Sequence, residues 1–161
     1  VTDQAELVVW LDPGLTTGVA WVNLVTWEFG SDEYDLAGTE GKLRSLAEKY
    51  PGVKTAVGYE MYLAVGGPRA GTAKYSQDVI AMTVRMTKEL GFQFLKPAPS
   101  SMRLVATPVL LRRMGWYSTG NGHANDAARH ALAFLMRSRP MPDMVRLKLF
   151  PGYVPSVTLA P

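Results

Sequence analysis

Four side chains able to hold a hard cation stand at informative places in this chain: Asp12, Glu60, His123 and Asp126. Asp12 closes the apolar run ELVVWLD (6–12), and Glu60 comes late in VKTAVGYEMY (53–62), again after apolar residues. An unpaired carboxylate is costly to bury in such a position. If the two runs are neighbouring strands, the acids stand side by side, which is tolerable only when one is protonated or a cation lies between them. A divalent ion is the simpler answer near neutral pH. Hard oxygen ligands with incomplete protein coordination suit Mg²⁺, with Mn²⁺ as a substitute. His123 and Asp126 are three apart at the start of GNGHANDAARHALAF (120–134), so both project from one helical face and could complete a two-metal set. Each residue also has an ordinary reading. Asp12 is a turn former before Pro13-Gly14, Glu60 a surface strand end, His123 an exposed helix-start residue, and Asp126 a first-turn acid that favours the helix dipole. The joint pattern in one small chain is what favours the metal.

The elements that must position these residues alternate in type. Residues 6–12, 18–23 (GVAWVN) and about 25–30 (VTWEFG) read as three strands joined by short turns, hence an antiparallel meander. GTEGKLRSLAEKY (38–50) has Leu43, Leu46, Ala47 and Tyr50 at helical spacing and stops at Pro51-Gly52. Residues 53–62 form the fourth strand, 72–90 a long helix with Val79, Met82, Met86 and Leu90 on one stripe, and 92–98 the fifth strand. Thr107-Pro108 is a good cap and first-turn pair for a short helix to Met114, and 123–137 is an alanine-rich helix. Five prolines punctuate 140–161, which reads as an irregular strap or flexible end outside a domain of residues 1–139. The expected fold is α/β: a mixed five-stranded sheet, three strands antiparallel and then two parallel, flanked by helices. That order is the one used by RNase H-like proteins.

Composition bounds the partners. With 161 residues, no cysteine, 47% hydrophobic and 19% charged residues, the chain suits a globular domain with a sizeable core and no thiolate chemistry. No apolar run approaches the roughly 20 residues that span a bilayer, and VTDQAE lacks a basic signal-peptide start, so the expectation is a soluble cytoplasmic protein without a membrane partner. The net charge of +3 is unevenly spread: from Arg85 onward the only acids are Glu89, Asp126 and Asp143 against a long series of Arg and Lys. This asymmetry suits a polyanion, although solvated helix faces would produce it equally well.

Asp-Pro-Gly with a following Thr-Gly at the end of strand one, a Glu after an apolar strand, and His-x-x-Asp-Ala opening a late alanine-rich helix together resemble the RuvC family of Holliday junction resolvases, bacteriophage members included. The likeness spans about residues 6–137. It implies an RNase H-like fold, a homodimer, and divalent-metal-dependent cleavage of branched DNA, four-way junctions above all, in the host cytoplasm if the chain is phage-encoded. Carried over by position, Asp12, Glu60, His123 and Asp126 become the four catalytic metal ligands, and His130, on the same helical face as Asp126, a neighbour of them or a core residue. The expected chemistry is hydrolysis with two cations about 3.5–4 Å apart, leaving a 5′-phosphate and a 3′-hydroxyl.

Substrate choice would lie elsewhere. The loop after Glu60 offers Tyr62, Leu63 and Arg69 around Gly66-Gly67, and the family places an aromatic wedge there; a base stacked on Tyr62 would contribute about 1–3 kcal/mol. Packing of Tyr62 on the sheet is the plain alternative. Lys74, Lys96, Arg103, Arg112 and Arg113 are the candidate phosphate contacts. The family also implies that the 72–90 helix shares in a dimer interface, whereas most such stripes simply cover a sheet. Rival readings are a flap, fork or RNA–DNA hybrid nuclease of the same chemistry, a non-catalytic nucleic-acid-binding module, and the actin and sugar-kinase ATPase fold. That last fold needs two such domains, and 161 residues hold one.

Overall fold

Leu7, Val8, Val9, Trp10 and Leu11 are all buried, as expected of a strand covered on both faces. They form β1 (Leu7–Asp12), the centre of a five-stranded sheet in a computed structural model that describes residues 5–61, 70–96, 101, 104–138 and 141–155. β2 (Thr17–Asn23) and β3 (Phe29–Tyr34) complete the antiparallel meander, and β4 (Thr55–Tyr59) and β5 (Gln93–Phe94) run parallel to β1 on its other side. The spatial order is β3-β2-β1-β4-β5, the mixed sheet expected from the sequence.

Helices cover both faces. α1 (Leu36–Lys49) and α2 (Ala70–Glu89) bury Leu43, Leu46, Val79, Met82 and Met86 against Leu7, Val9, Leu11, Val19 and Val57. The methionine stripe of α2 therefore belongs to the core, and among the described residues the large apolar side chains that helix exposes are Tyr75 and Val84. The other face carries α3 (Pro108–Met114), α4 (Gly122–Ser138) and α5 (Asp143–Leu149), packed on Val8, Trp10, Ala20, Val22 and Ala56. Thr107 caps α3 through its hydroxyl, which accepts from the Leu110 amide, with Pro108 in the first turn as expected. Among the described residues no helix is long and apolar enough to cross a membrane.

Three expectations are corrected. The third strand begins at Phe29 instead of about 25, because the Asn23 side chain accepts from the amides of Val25 and Thr26 and turns the chain, with Trp27 in the left-handed region at φ 58°. The fifth strand is only two residues long. The stretch 143–149 is helical, not irregular: Val145 and Leu149 are buried in the α4-side core, and the Arg113 guanidinium donates to the Leu149 carbonyl at 2.9 Å.

Candidate active site

Alternation along the strands decides which way the acids face. Val8 and Trp10 lie in the core beneath α4, and Asp12 follows at the same parity; on β4, Ala56 lies in that core and Glu60 has its parity. β1 and β4 pair in parallel with Leu11 opposite Tyr59, and the Glu60 amide donates to the Leu11 carbonyl at 3.0 Å. Both carboxylates thus leave the C-terminal ends of adjacent strands on the α4 side, with side chains only 15% and 12% exposed.

The alanines of α4 bring its backbone close to that corner. Ala124, Ala127, Ala128 and Ala131 are fully buried, facing a sheet surface that includes Gly18 and Ala20. A Cβ at Gly18 would lie 1.9 Å from the His123 carbonyl oxygen, so only glycine admits the helix start there. Gly18 pairs with Asp12 on one side and Glu33 on the other. One Glu33 carboxylate oxygen accepts from the amides of His123 and Ala124, at 2.8 and 3.2 Å, satisfying two of the helix's free donors. With its backbone so fixed, His123 sets its Nδ1 2.8 Å from Asp12 Oδ2. The Ser76 hydroxyl of α2 donates to the Pro13 carbonyl at 2.9 Å and anchors the turn after Asp12.

Burial pushes the Asp12 carboxyl up from its ordinary 3.8 to about 6. The His123 hydrogen bond opposes this, and the Glu60 and Asp126 carboxylates push the same way as burial. The other expected ligands have basic partners. Glu60 Oε2 lies 3.1 Å from His130 Nε2, and Asp126 Oδ1 accepts from Arg129 Nη1 at 3.1 Å, while Arg129 Nε donates to the Ala106 carbonyl. Among the described residues, accordingly, no three His, Asp or Glu side chains form a ready-made metal cluster. The four expected ligands share one corner of the fold, with Asp12 and His123 in contact and Glu60 and Asp126 close enough to raise the Asp12 pKa. This donor set fits a hard divalent cation: three carboxylates and an imidazole, with negative charge in excess at Asp12.

An open cleft of about 380 Å³ runs beside the α4 start, lined by Pro108, Leu111, Tyr117, His123, Asp126 and Arg129 among others. Arg112 lies over the Tyr117 ring, 4.2 Å from its centroid, at the edge of this cleft. Arg113 is exposed but tied to Leu149, and Lys74 and Lys96 are exposed. Tyr62, Leu63, Arg69 and Arg103 lie outside the described residues. Sequence reasoning missed Glu33 and Arg129. The (i, i+3) spacing of Asp126 and Arg129 was a legible signal, whereas Glu33 meets α4 only through the tertiary fold.

No family model matches the chain, and no curated protein matches it in sequence. In structure it is similar to RuvC from Thermus thermophilus. One such structure, "in complex with Holliday junction substrate", gives a TM-score of 0.58 at 13% identity over 81% of this chain and 94% of that one. Another Thermus thermophilus RuvC structure gives 0.60 at 14% identity over 81% and 95%. The fold is therefore the RNase H-like fold of RuvC.

Proposed function

We propose that the chain is a divalent-metal-dependent, structure-selective endodeoxyribonuclease that resolves four-way DNA junctions as a homodimer, by paired nicks in opposite strands. The observation that carries this reading is the pair of strand-end carboxylates, Asp12 and Glu60, held together under the start of α4 with Asp12 pushed up to about 6. Asp12, Glu60, His123 and Asp126 would hold Mg²⁺, or Mn²⁺ in its place, two ions per site. When bound, these ions supply Lewis acidity toward the scissile phosphate and lower the pKa of the attacking water. The chain's own residues do the rest. Gly18 and Glu33 hold the helix start against β2, so that His123 meets Asp12 and Asp126 stands near enough to raise its pKa. Were Asp126 to take up a cation in place of its Arg129 partner, Arg129 Nη1 on the cleft wall would be available to a phosphate oxygen while its Nε stays on the Ala106 carbonyl. Arg112 and Tyr117 line the path of the strand next to the cut, and Lys74, Lys96 and Arg113, with Tyr62, Leu63, Arg69 and Arg103, extend the DNA contacts.

The choice of branched DNA is supported by the similar RuvC structure in complex with Holliday junction substrate. The test is incubation of end-labelled four-way junctions, flaps, linear duplex and RNA–DNA hybrid with Mg²⁺ or chelator. Symmetric paired nicks on the four-way junction, lost with chelator, are expected. Cleavage of flaps or hybrids in preference would transfer the same chemistry to another substrate, and inactivity on every substrate would leave a binding module.

A further inference from the structure

His130 is a histidine in the wrong kind of place. It is completely buried in the α4-side core, among residues that are otherwise mostly apolar. Its ring stacks on Trp10 with centroids 5.9 Å apart and planes 6° from parallel, and Trp10 in turn covers Gly58, where a Cβ would come within 2.6 Å of the indole. Phenylalanine would fill that space and stack equally well, without burying a polar ring. The ring's polar reach is what differs. His130 Nε2 lies 3.1 Å from Glu60 Oε2, while Nδ1 is buried with no hydrogen-bond partner among the described residues. A proton on Nε2 satisfies the carboxylate and leaves a lone pair on Nδ1. A proton on Nδ1 would be an orphaned donor and would set a lone pair against the carboxylate.

We propose that His130 is a positioning residue for Glu60, held in one orientation by α4 against the face of Trp10 so that its Nε2–H fixes the Glu60 carboxylate toward Asp12. The inference rests on the reading of Glu60 as a metal ligand and deepens it. Hydrogen-bond partners that orient a ligand typically change metal affinity about 10–100-fold when removed. Gly58, Trp10, His130 and Glu60 then act as one packed column. Gly58 makes room for the indole, the indole fixes the imidazole plane, and the imidazole holds the carboxylate.

The experiment is Mn²⁺ titration by calorimetry of the wild-type chain, His130→Phe and His130→Gln, each checked for a native near-UV spectrum. Phe keeps the volume and the stacking but removes the donor. Gln places its amide nitrogen near the position of Nε2. The expected result is Mn²⁺ affinity about tenfold weaker in His130→Phe and restored to within about threefold in His130→Gln. Unchanged affinity in a folded His130→Phe, or equal loss in both variants, overturns the positioning role and leaves the metal site standing. A wild-type chain that binds no Mn²⁺ overturns the metal-site reading, and this inference with it. Nitrogen-15 spectra of the wild type give a readout free of any folding defect: His130 should carry its proton on Nε2 with Nδ1 bare, and the opposite tautomer refutes the positioning role.

Discussion

Replacing Asp12 with asparagine should make the metal-free protein more stable while removing its activity. The Asp12 carboxyl titrates near 6 in the folded chain against an ordinary 3.8. The folded state therefore holds the proton more tightly than the unfolded state. Below about pH 4 both states are protonated and the residue is neutral in its effect. Between about 4 and 6 the unfolded chain ionises first, so stability falls as pH rises, and above about 6 the full loss is present. A shift of about two units at 1.36 kcal/mol each is about 3 kcal/mol as an upper bound. For a chain of this size that corresponds to roughly 6–12 °C in melting temperature. Asn keeps a carbonyl oxygen toward His123 Nδ1, so that contact survives. Thermal melts with chelator at pH 7.5 and pH 4 read the effect directly. Asp12→Asn should melt higher than the wild type at pH 7.5, with the gap closing by pH 4; added Mg²⁺ should raise the wild type alone. A variant that melts at or below the wild type at pH 7.5, or a gap independent of pH, would refute the electrostatic account of the site.

Gly18→Ala should cut activity about 100-fold or more, since the new methyl meets backbone and must displace the helix start that carries His123. It should also lower stability by about 1–3 kcal/mol, read in the same melts. Glu33→Ala leaves the His123 and Ala124 amides without their acceptor and should reduce stability by about 1 kcal/mol. It should lower the cleavage rate more than DNA affinity in a gel-shift comparison, and Glu33→Gln, which keeps an acceptor oxygen, should restore most of the loss.

Asp12 and Glu60 were legible because each closes an apolar strand, and strand parity alone sends both to one face once the two strands are neighbours. His123 and Asp126 were legible from helical spacing on an alanine-rich segment, and those alanines prove to be what lets the helix approach the sheet. β3 was misplaced because FGSDEY is a polar edge strand with little apolar signal, and Glu33 was lost with it. α5 was hidden by the prolines around a helix of seven residues, whose inward face, Val145 and Leu149, is too short to show a period. The partners that the acids take up, His130 for Glu60 and Arg129 for Asp126, differ in the same way. Arg129 is local on α4, whereas His130 meets Glu60 only because α4 packs across the sheet over β2 and β1, next to the strand end that carries Glu60.

If the carboxylates at the ends of β1 and β4 hold a catalytic metal, loss of Asp12 should separate DNA binding from DNA cleavage. The most direct measurement compares wild type and Asp12→Asn on a labelled four-way junction with Mg²⁺, scoring binding and cleavage on the same preparation. Both proteins should bind the junction; only the wild type should nick it, and the nicked products should be ligatable, as a 5′-phosphate and 3′-hydroxyl require. Cleavage by Asp12→Asn at the wild-type rate, or wild-type nicking undiminished by chelator, would contradict the claim.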